Sequence, residues 1–280
     1  MTSEEPPTVA EGEKNFEPEP ARPLEKSVGF NAKRAGNREV LGVLAIIVAA
    51  ILALYSRVGP VTSVVIRLIP FSADEAVGAK LAAFQRSTSR VADDARTAHV
   101  RELVATATTA IGHASPDRAL TKAPVVTVLD DAGVNAFALP GGEIFILRGL
   151  LDAPEMNDDV LLGVLSHELA HAAFRHGLRS LIRRNLLRTG AAMMFGGIDG
   201  GTGALLGEGL TLGDLAYDRA MESEADKLAG EVLLALHRPV EPLANFLEKL
   251  DNAASLPALV MNHPPGRERA SSLRAQAVQP

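Results

Sequence analysis

The sequence predicts an α+β protein, mostly helical, with a small three-stranded sheet and one transmembrane helix ahead of the folded domain. Three observations carry this. Apolar residues recur at helical spacing through most of the chain beyond residue 70. The stretch 123–148 is instead rich in β-branched and aromatic residues and is broken by turn signals. Val40 to Ser56 is a run of apolar and uncharged residues. At 280 residues and 47% hydrophobic content, the chain can bury one sizeable core after allowing for tails.

From the N-terminus, residues 1–25 carry seven Glu and five Pro with few large apolar side chains, too little to offset ordering entropy. Residues 1–39 are therefore expected to be a disordered tail. Its charge then switches, with Lys26, Lys33, Arg34 and Arg38 preceding the apolar run. That run, residues 40–57, is expected to anchor the chain in a lipid bilayer. It covers only about 26 Å at about 1.5 Å per residue, so Arg57 would snorkel and Val58 to Ile66 would contribute. A cleaved signal peptide fits poorly, because 39 residues precede the run and no clear small-x-small site follows it. Four basic residues on the N-terminal side against Arg57 and Arg67 on the other place the N-terminus in the cytoplasm. The domain over residues 70–280 then faces outward, into the periplasm where an outer membrane exists.

Within that domain Ala73 to His113 reads as helix, with Ala, Val, Leu and Phe on one face and Arg, Asp and Glu on the other. Ala123 to Asp130, Val134 to Leu139 and Glu143 to Arg148 read as strands, separated by Asp131-Ala132-Gly133 and Pro140-Gly141-Gly142. Asn157-Asp158-Asp159 offers N-capping oxygens to a helix in which Val160, Leu161, Val164, Leu165, Leu169 and Ala172 recur at helical spacing. A basic segment, Arg179 to Arg188, follows. Gly190 to Gly213 contains nine glycines yet also Met193, Met194, Phe195, Leu205 and Leu206, so it is expected to be a mobile lid or a membrane-facing loop. It holds no GxxxxGK[ST] phosphate cradle. A helix from about Tyr217 to Leu236 and two or three short helices complete the chain, with no internal repeat.

The chemistry concentrates in His167-Glu168-Leu169-Ala170-His171. On a helix, positions 167 and 171 lie only about 40° apart, so both imidazoles reach one ion with Glu168 beside them, the core of a zinc hydrolase. A catalytic zinc needs a third protein ligand and an open position for water. His176 is about 140° from His171 on a continuous helix and points off the metal face, as a polar contact or surface histidine. Glu222 and Asp226 share a helix face among Met221, Ala225, Leu228, Ala229, Val232 and Leu233. One can ligate while the other accepts a hydrogen bond from a ligand imidazole. Glu224 projects about 160° away from Glu222. The formal charge of -6 gives no sign of nucleic-acid binding, and zero cysteine excludes disulfides, a thiol nucleophile and Cys-ligated zinc.

Here the chain resembles the gluzincin peptidases of HtpX and the CAAX prenyl endopeptidase, nearest to their singly anchored or periplasmic members. Asn135-Ala136-Phe137-Ala138-Leu139-Pro140-Gly141-Gly142 with Ile144-Phe145-Ile146 and Gly149-Leu150-Leu151 is similar to the family's segment upstream of HExxH. Arg219 to Asp226 is similar to its RxxExEAD segment, and His263-Pro264-Pro265 with Arg269 to its HPP segment. Asp218 stands where Ser is common, and Gly266 replaces a usual Ser or Thr.

The resemblance implies a zincin-type peptidase domain with one zinc ion per chain held by His167, His171 and Glu222, Glu168 as general base, and Asp226 orienting a ligand histidine. It also implies an edge strand that pairs with extended polypeptide substrates, with Asn135 and Ala138 as substrate-binding positions. Neither His263 nor Arg219 is assigned a catalytic role. The expected function is a membrane-anchored zinc endopeptidase acting on unfolded or damaged envelope proteins. The alternative is a chaperone-like or assembly module of the envelope, which would have no use for a general base.

Overall fold

The structure, a computed structural model, describes residues 37–195, 217–252, 263 and 267–277. The chain divides into two compact units, Met1–Ala49 and Ala50–Pro280. In the first, the described residues form the opening turns of helix α1, Asn37–Leu68. Most of the tail expected over 1–39, and residues 196–213 of the expected lid, lie outside the described residues. Along α1 the side chains of Leu41, Ile46 and Leu52 are exposed. Among the described residues no helix is long and apolar enough to cross a membrane, and several side chains of the 40–57 run fall outside that set.

The second unit departs from expectation at its start. One helix was expected from Ala73 to His113, but the chain forms two, α2 (Phe71–Thr88) and α3 (Thr97–Ala114). Between them it runs extended beside the sheet. Val91 bridges Leu129 in antiparallel fashion, Ala92 N–H donates to Val128 O at 2.9 Å, and Asp130 N–H donates to Arg90 O at 2.8 Å. A continuous helix would have kept those backbone groups for itself. The Asp94 carboxylate then accepts from the backbone N–H and the guanidinium of Arg96, turning the chain into α3.

The sheet matches its expected segments. β1 (Val125–Leu129), β2 (Ala136–Leu139) and β3 (Glu143–Leu147) lie in the order β1-β3-β2, with β1 parallel and β2 antiparallel to β3. Their alternation divides the core in two. Val126, Val128, Ala136, Ala138, Ile144 and Ile146 join the main core, while Leu129, Phe137, Leu139, Phe145 and Leu147 pack with Leu81, Ala82, Leu178 and Leu181. Both faces are covered, which is why the strands are apolar at nearly every position. Gly141 and Gly142 turn β2 into β3 at φ +79 and +92, values L side chains rarely adopt. α2 lies hard against this turn, since a Cβ on Gly78 would sit 1.7 Å from Pro140 O.

After the short α4 (Arg148–Leu151) comes α5 (Asp158–Ala173), whose N-cap Asn157 accepts from the N–H groups of Asp159 and Val160, as its sequence predicts. Every residue of α5 from Val160 onward is buried, with α3, β2, α7 (Arg219–Ala235) and α8 (Glu241–Asn252) packed around it. A helix apolar around its whole circumference is a core helix. α6 (His176–Phe195) and α9 (Arg267–Ala277) complete the described α-helices. At the α5–α6 junction Arg175 adopts φ 59, and its guanidinium donates to the carbonyls of Ile66 and Ile69 and pairs with the fully buried Asp74.

Candidate metal centre

α5 presents His167 and His171 one turn apart, with their Nε2 atoms 2.9 Å from each other. α7, capped by the Asp218 carboxylate on Met221 N–H, brings Glu222 against them. Glu222 Oε2 is 3.5 Å from His167 Nε2, and Oε1 is 3.4 Å from His171 Nε2. His263 joins from beyond α8, its Nδ1 2.9 Å from Glu222 Oε1. One donor atom from each of these four buried residues lies within 4.8 Å of the others.

The surroundings hold the donors in place. Asp226, one turn after Glu222 on α7, has Oδ1 2.9 Å from His167 Nδ1. Arg269 on α9 donates to both oxygens of Asp226, at 2.7 and 2.8 Å. On the other imidazole, His171 Nδ1 is 2.9 Å from His176 Nδ1, and the Tyr217 ring stacks on His171 with centroids 3.8 Å apart. Glu168 Oε2 accepts from Ala138 N–H at 2.8 Å. A small cavity of about 30 Å³ lies beside Glu168 and His167, with an apolar wall of Val164, Leu243, Phe246 and Leu247.

Burial sets the electrostatics. It raises Glu168 above the usual carboxylate range, against the pull of His263 and His167. Glu222 is subject to the same penalty, but His263, His167 and His171 outweigh it and hold its carboxyl well below that range. Burial and the Arg269 charge pull His167 down, yet hydrogen bonds to Asp226 and Glu222 prevail and raise it to about 9. His171 lacks such a carboxylate on Nδ1, and burial lowers it well below its ordinary value.

These residues fit a divalent ion. About 2.0–2.2 Å from a tetrahedral zinc, ligand atoms lie about 3.3–3.6 Å from one another, the spacing one Glu222 oxygen keeps to each imidazole, while the two Nε2 atoms at 2.9 Å would have to part by a few tenths of an ångström. His263 Nε2 is buried at this spot with no hydrogen-bond partner, and Glu222 Oε2 has none beyond its ion pair with Arg269 Nη1 at 2.8 Å. Glu222 and Asp226 both pair with the one guanidinium of Arg269, and Glu168 is buried beside them, a set of acidic donors suited to a cation.

The expected residues thus meet. His167, His171 and Glu222 converge, Asp226 reaches His167, and Glu168 reaches Ala138. Asn135 is buried just before β2, but its carbonyl is taken by Leu147 N–H inside the sheet. Arg219 is exposed on the first turn of α7 and stands outside the cluster. His176 is outside the donor set, as its spacing predicts, but it is fully buried against His171 rather than at the surface. His263 and Arg269 took no assigned part in the sequence reading. The only hint of them was the HPP segment, because nothing local to residues 263–269 reports contact with α5.

Comparison with known proteins agrees with this geometry. The chain is 31% identical over 150 residues to the metalloprotease YcaL of Escherichia coli, covering 50% of this chain and 57% of that protein. It is 29% identical over 167 residues to the mitochondrial metalloendopeptidase OMA1 of Bos taurus, covering 53% and 31%. It is 28% identical over 163 residues to the beta-barrel assembly-enhancing protease of Yersinia pestis, covering 52% and 33%. The match thus spans between about a third and somewhat more than half of these relatives. The model of peptidase family M48 matches residues 94–277, most of the second unit and every residue of the cluster, and the chain belongs to that family.

Proposed function

We propose that this chain is a zinc-dependent endopeptidase, anchored by residues 40–57 with its N-terminus cytoplasmic, that hydrolyses polypeptides on the outer side of the membrane. The observation that carries the reading is the convergence of His167, His171 and Glu222 with Glu168 beside them. His167, His171 and Glu222 would hold one zinc ion. Bound there, zinc supplies Lewis acidity toward the scissile carbonyl and brings the pKa of a water nucleophile down toward about 7.

The protein's own groups do the rest. Glu168 takes the proton of the attacking water and returns it to the leaving amine nitrogen, and the burial that raises its pKa suits a carboxyl that must both accept and release. The Asp226 carboxylate accepts a hydrogen bond from the Nδ1–H of His167 and turns its Nε2 inward. β2 is the sheet's edge on the side of Glu168, which supports pairing with an extended substrate at Ala138. The cavity walled by Val164, Leu243, Phe246 and Leu247 has room only for a small apolar group next to the cleaved bond. His263, its Nε2 3.5 Å from Glu168 Oε1, is a fourth candidate donor, and a catalytic ion that binds water leaves that position open.

Support for the anchor is the uncharged run Val40 to Ser56, its exposed Leu41, Ile46 and Leu52, and the basic residues ahead of it. The envelope setting draws on the relative named a beta-barrel assembly-enhancing protease. The test is metal analysis of the purified chain with casein cleavage in the presence and absence of chelator. One zinc per chain is expected, with cleavage lost on chelation. Glu168→Gln should keep the ion and lose at least about 10²-fold in kcat. Cleavage that survives in Glu168→Gln would end this reading, and full biological activity without cleavage would favour the assembly role. Release of the full chain from membranes by alkaline carbonate would rule out the anchor.

A further inference from the structure

We propose that this peptidase cuts beside a small side chain, alanine or glycine, because Phe246 and Leu247 on α8 close the cavity next to Glu168 to anything larger. This selection rests on the metallopeptidase reading above.

The cavity lies between α5 and α8, with Val164, His167 and Glu168 on one side and Leu243, Phe246 and Leu247 on the other. It adjoins the general base. A residue flanking the cleaved bond is the part of a substrate brought to that spot, since Glu168 must reach the water that attacks the scissile carbonyl. The cavity measures about 30 Å³. About 10–15 Å³ of such space holds one water, so a methyl group fits with little to spare and the branched side chain of leucine does not. Main-chain pairing with β2 carries little sequence information, so side-chain preference falls to a cavity such as this one.

The wall formed by α8 is fixed in place. Leu243, Ala244, Phe246 and Leu247 are all buried in the main core, where Ala270 and Leu273 of α9 also pack. Leu243 sits directly against the backbone of α5, and a Cβ added at Gly163 would lie 3.0 Å from both Cβ and Cδ2 of Leu243. The glycine thus lets α8 approach α5 closely, which narrows the space between them. Moving α8 outward to admit a larger side chain would open contacts among close-packed groups. The size limit is therefore built into the helix packing, and truncating a side chain of the wall is the way to relax it.

Zinc-loaded full-length protein in detergent, given a peptide library varied at the two residues flanking the cleaved bond, should cut with Ala or Gly dominant at one of them. There kcat/KM for Ala should exceed that for Leu by at least about 10-fold. Phe246→Ala and, separately, Leu247→Ala should raise kcat/KM for Leu by about 10-fold or more. The Gly peptide, which places nothing in the cavity, should be cut as before. Damage to the fold lowers cleavage of every peptide in parallel, so the Leu-to-Gly ratio reports the cavity alone. Leu247→Ala removes less volume and keeps the test open if Phe246→Ala does not fold. Equal cleavage beside bulky and small residues at both positions by the parent overturns the proposal, as does an unchanged Leu-to-Gly ratio in the variants that fold. Cleavage without a size preference defeats this inference alone, whereas no cleavage of any peptide defeats the metallopeptidase reading and this inference with it.

Discussion

The hydroxyl of Tyr217 donates to the carbonyl oxygen of Ala138 across 3.3 Å, while the ring of the same tyrosine lies on His171. Asn135 pairs with Leu147 through the sheet, so by alternation Ala138 turns its N–H and C=O to the outer edge of β2. Both outward groups are engaged, the N–H by Glu168 and the carbonyl by Tyr217. A substrate strand pairing with β2 must displace the tyrosine hydroxyl. Tyr217→Phe keeps the stacked ring and removes that competitor, which is worth about 0.5–1.5 kcal/mol as a neutral hydrogen bond. We expect KM for an extended peptide to fall by about 2- to 10-fold with kcat little changed. A KM that holds or rises would argue against β2 as the docking edge.

Asp226 is shared between His167 and the Arg269 guanidinium. Asp226→Asn keeps the shape but weakens its hold on the His167 Nδ1 proton and leaves Arg269 less compensated. Zinc affinity is expected to drop by about 10- to 100-fold, read by chelator competition, with the helix content of circular dichroism retained. Equal affinity in both proteins would show that Asp226 serves the fold alone.

The Arg175–Asp74 pair joins the end of α5 to the α1–α2 junction. Asp74 is fully buried, and Arg175 also closes two carbonyls of that junction. Removing one partner of a buried pair strands the other, so Arg175→Ala should cost about 3–5 kcal/mol in urea unfolding. A loss under about 1 kcal/mol would mean that water reaches Asp74 freely.

Asp94 is held at a pKa of about 2, chiefly by its hydrogen bonds with the Arg96 side chain. Its folded value lies below the unfolded one of about 3.9, so the stabilisation is present above about pH 4 and disappears as pH falls through about 2. The stability difference between the parent and Asp94→Asn should therefore be level near neutrality and close between about pH 4 and pH 2. A difference independent of pH over that window would assign the loss to packing and not to charge.

What proved legible in the residues was local. The Asn157 cap, the helical recurrence from Val160 to Ala172 and the turn at Pro140-Gly141-Gly142 depend on neighbours a few positions away, and each appears where its sequence predicts. The two-helix break between Ser89 and Arg96 was not legible, because the backbone there is claimed by Val128 and Leu129 from another segment. The position of His176 was hidden for a related reason. Its angle around the helix follows from spacing only while the helix runs on, and Arg175 stops it.

By itself the sequence determined the helix that carries two imidazoles and a carboxylate, and the second helix that carries Glu222 and Asp226 on one face, since periodicity and capping are written in adjacent residues. Only the tertiary structure decided that Arg269, 102 positions from His167, and His263 would close on the same point, and that Glu224 would meet His176. The reason is packing: α7 and α9 bury their apolar faces together with α5, and the polar groups that ride on those faces are brought together by contacts no local stretch of chain encodes.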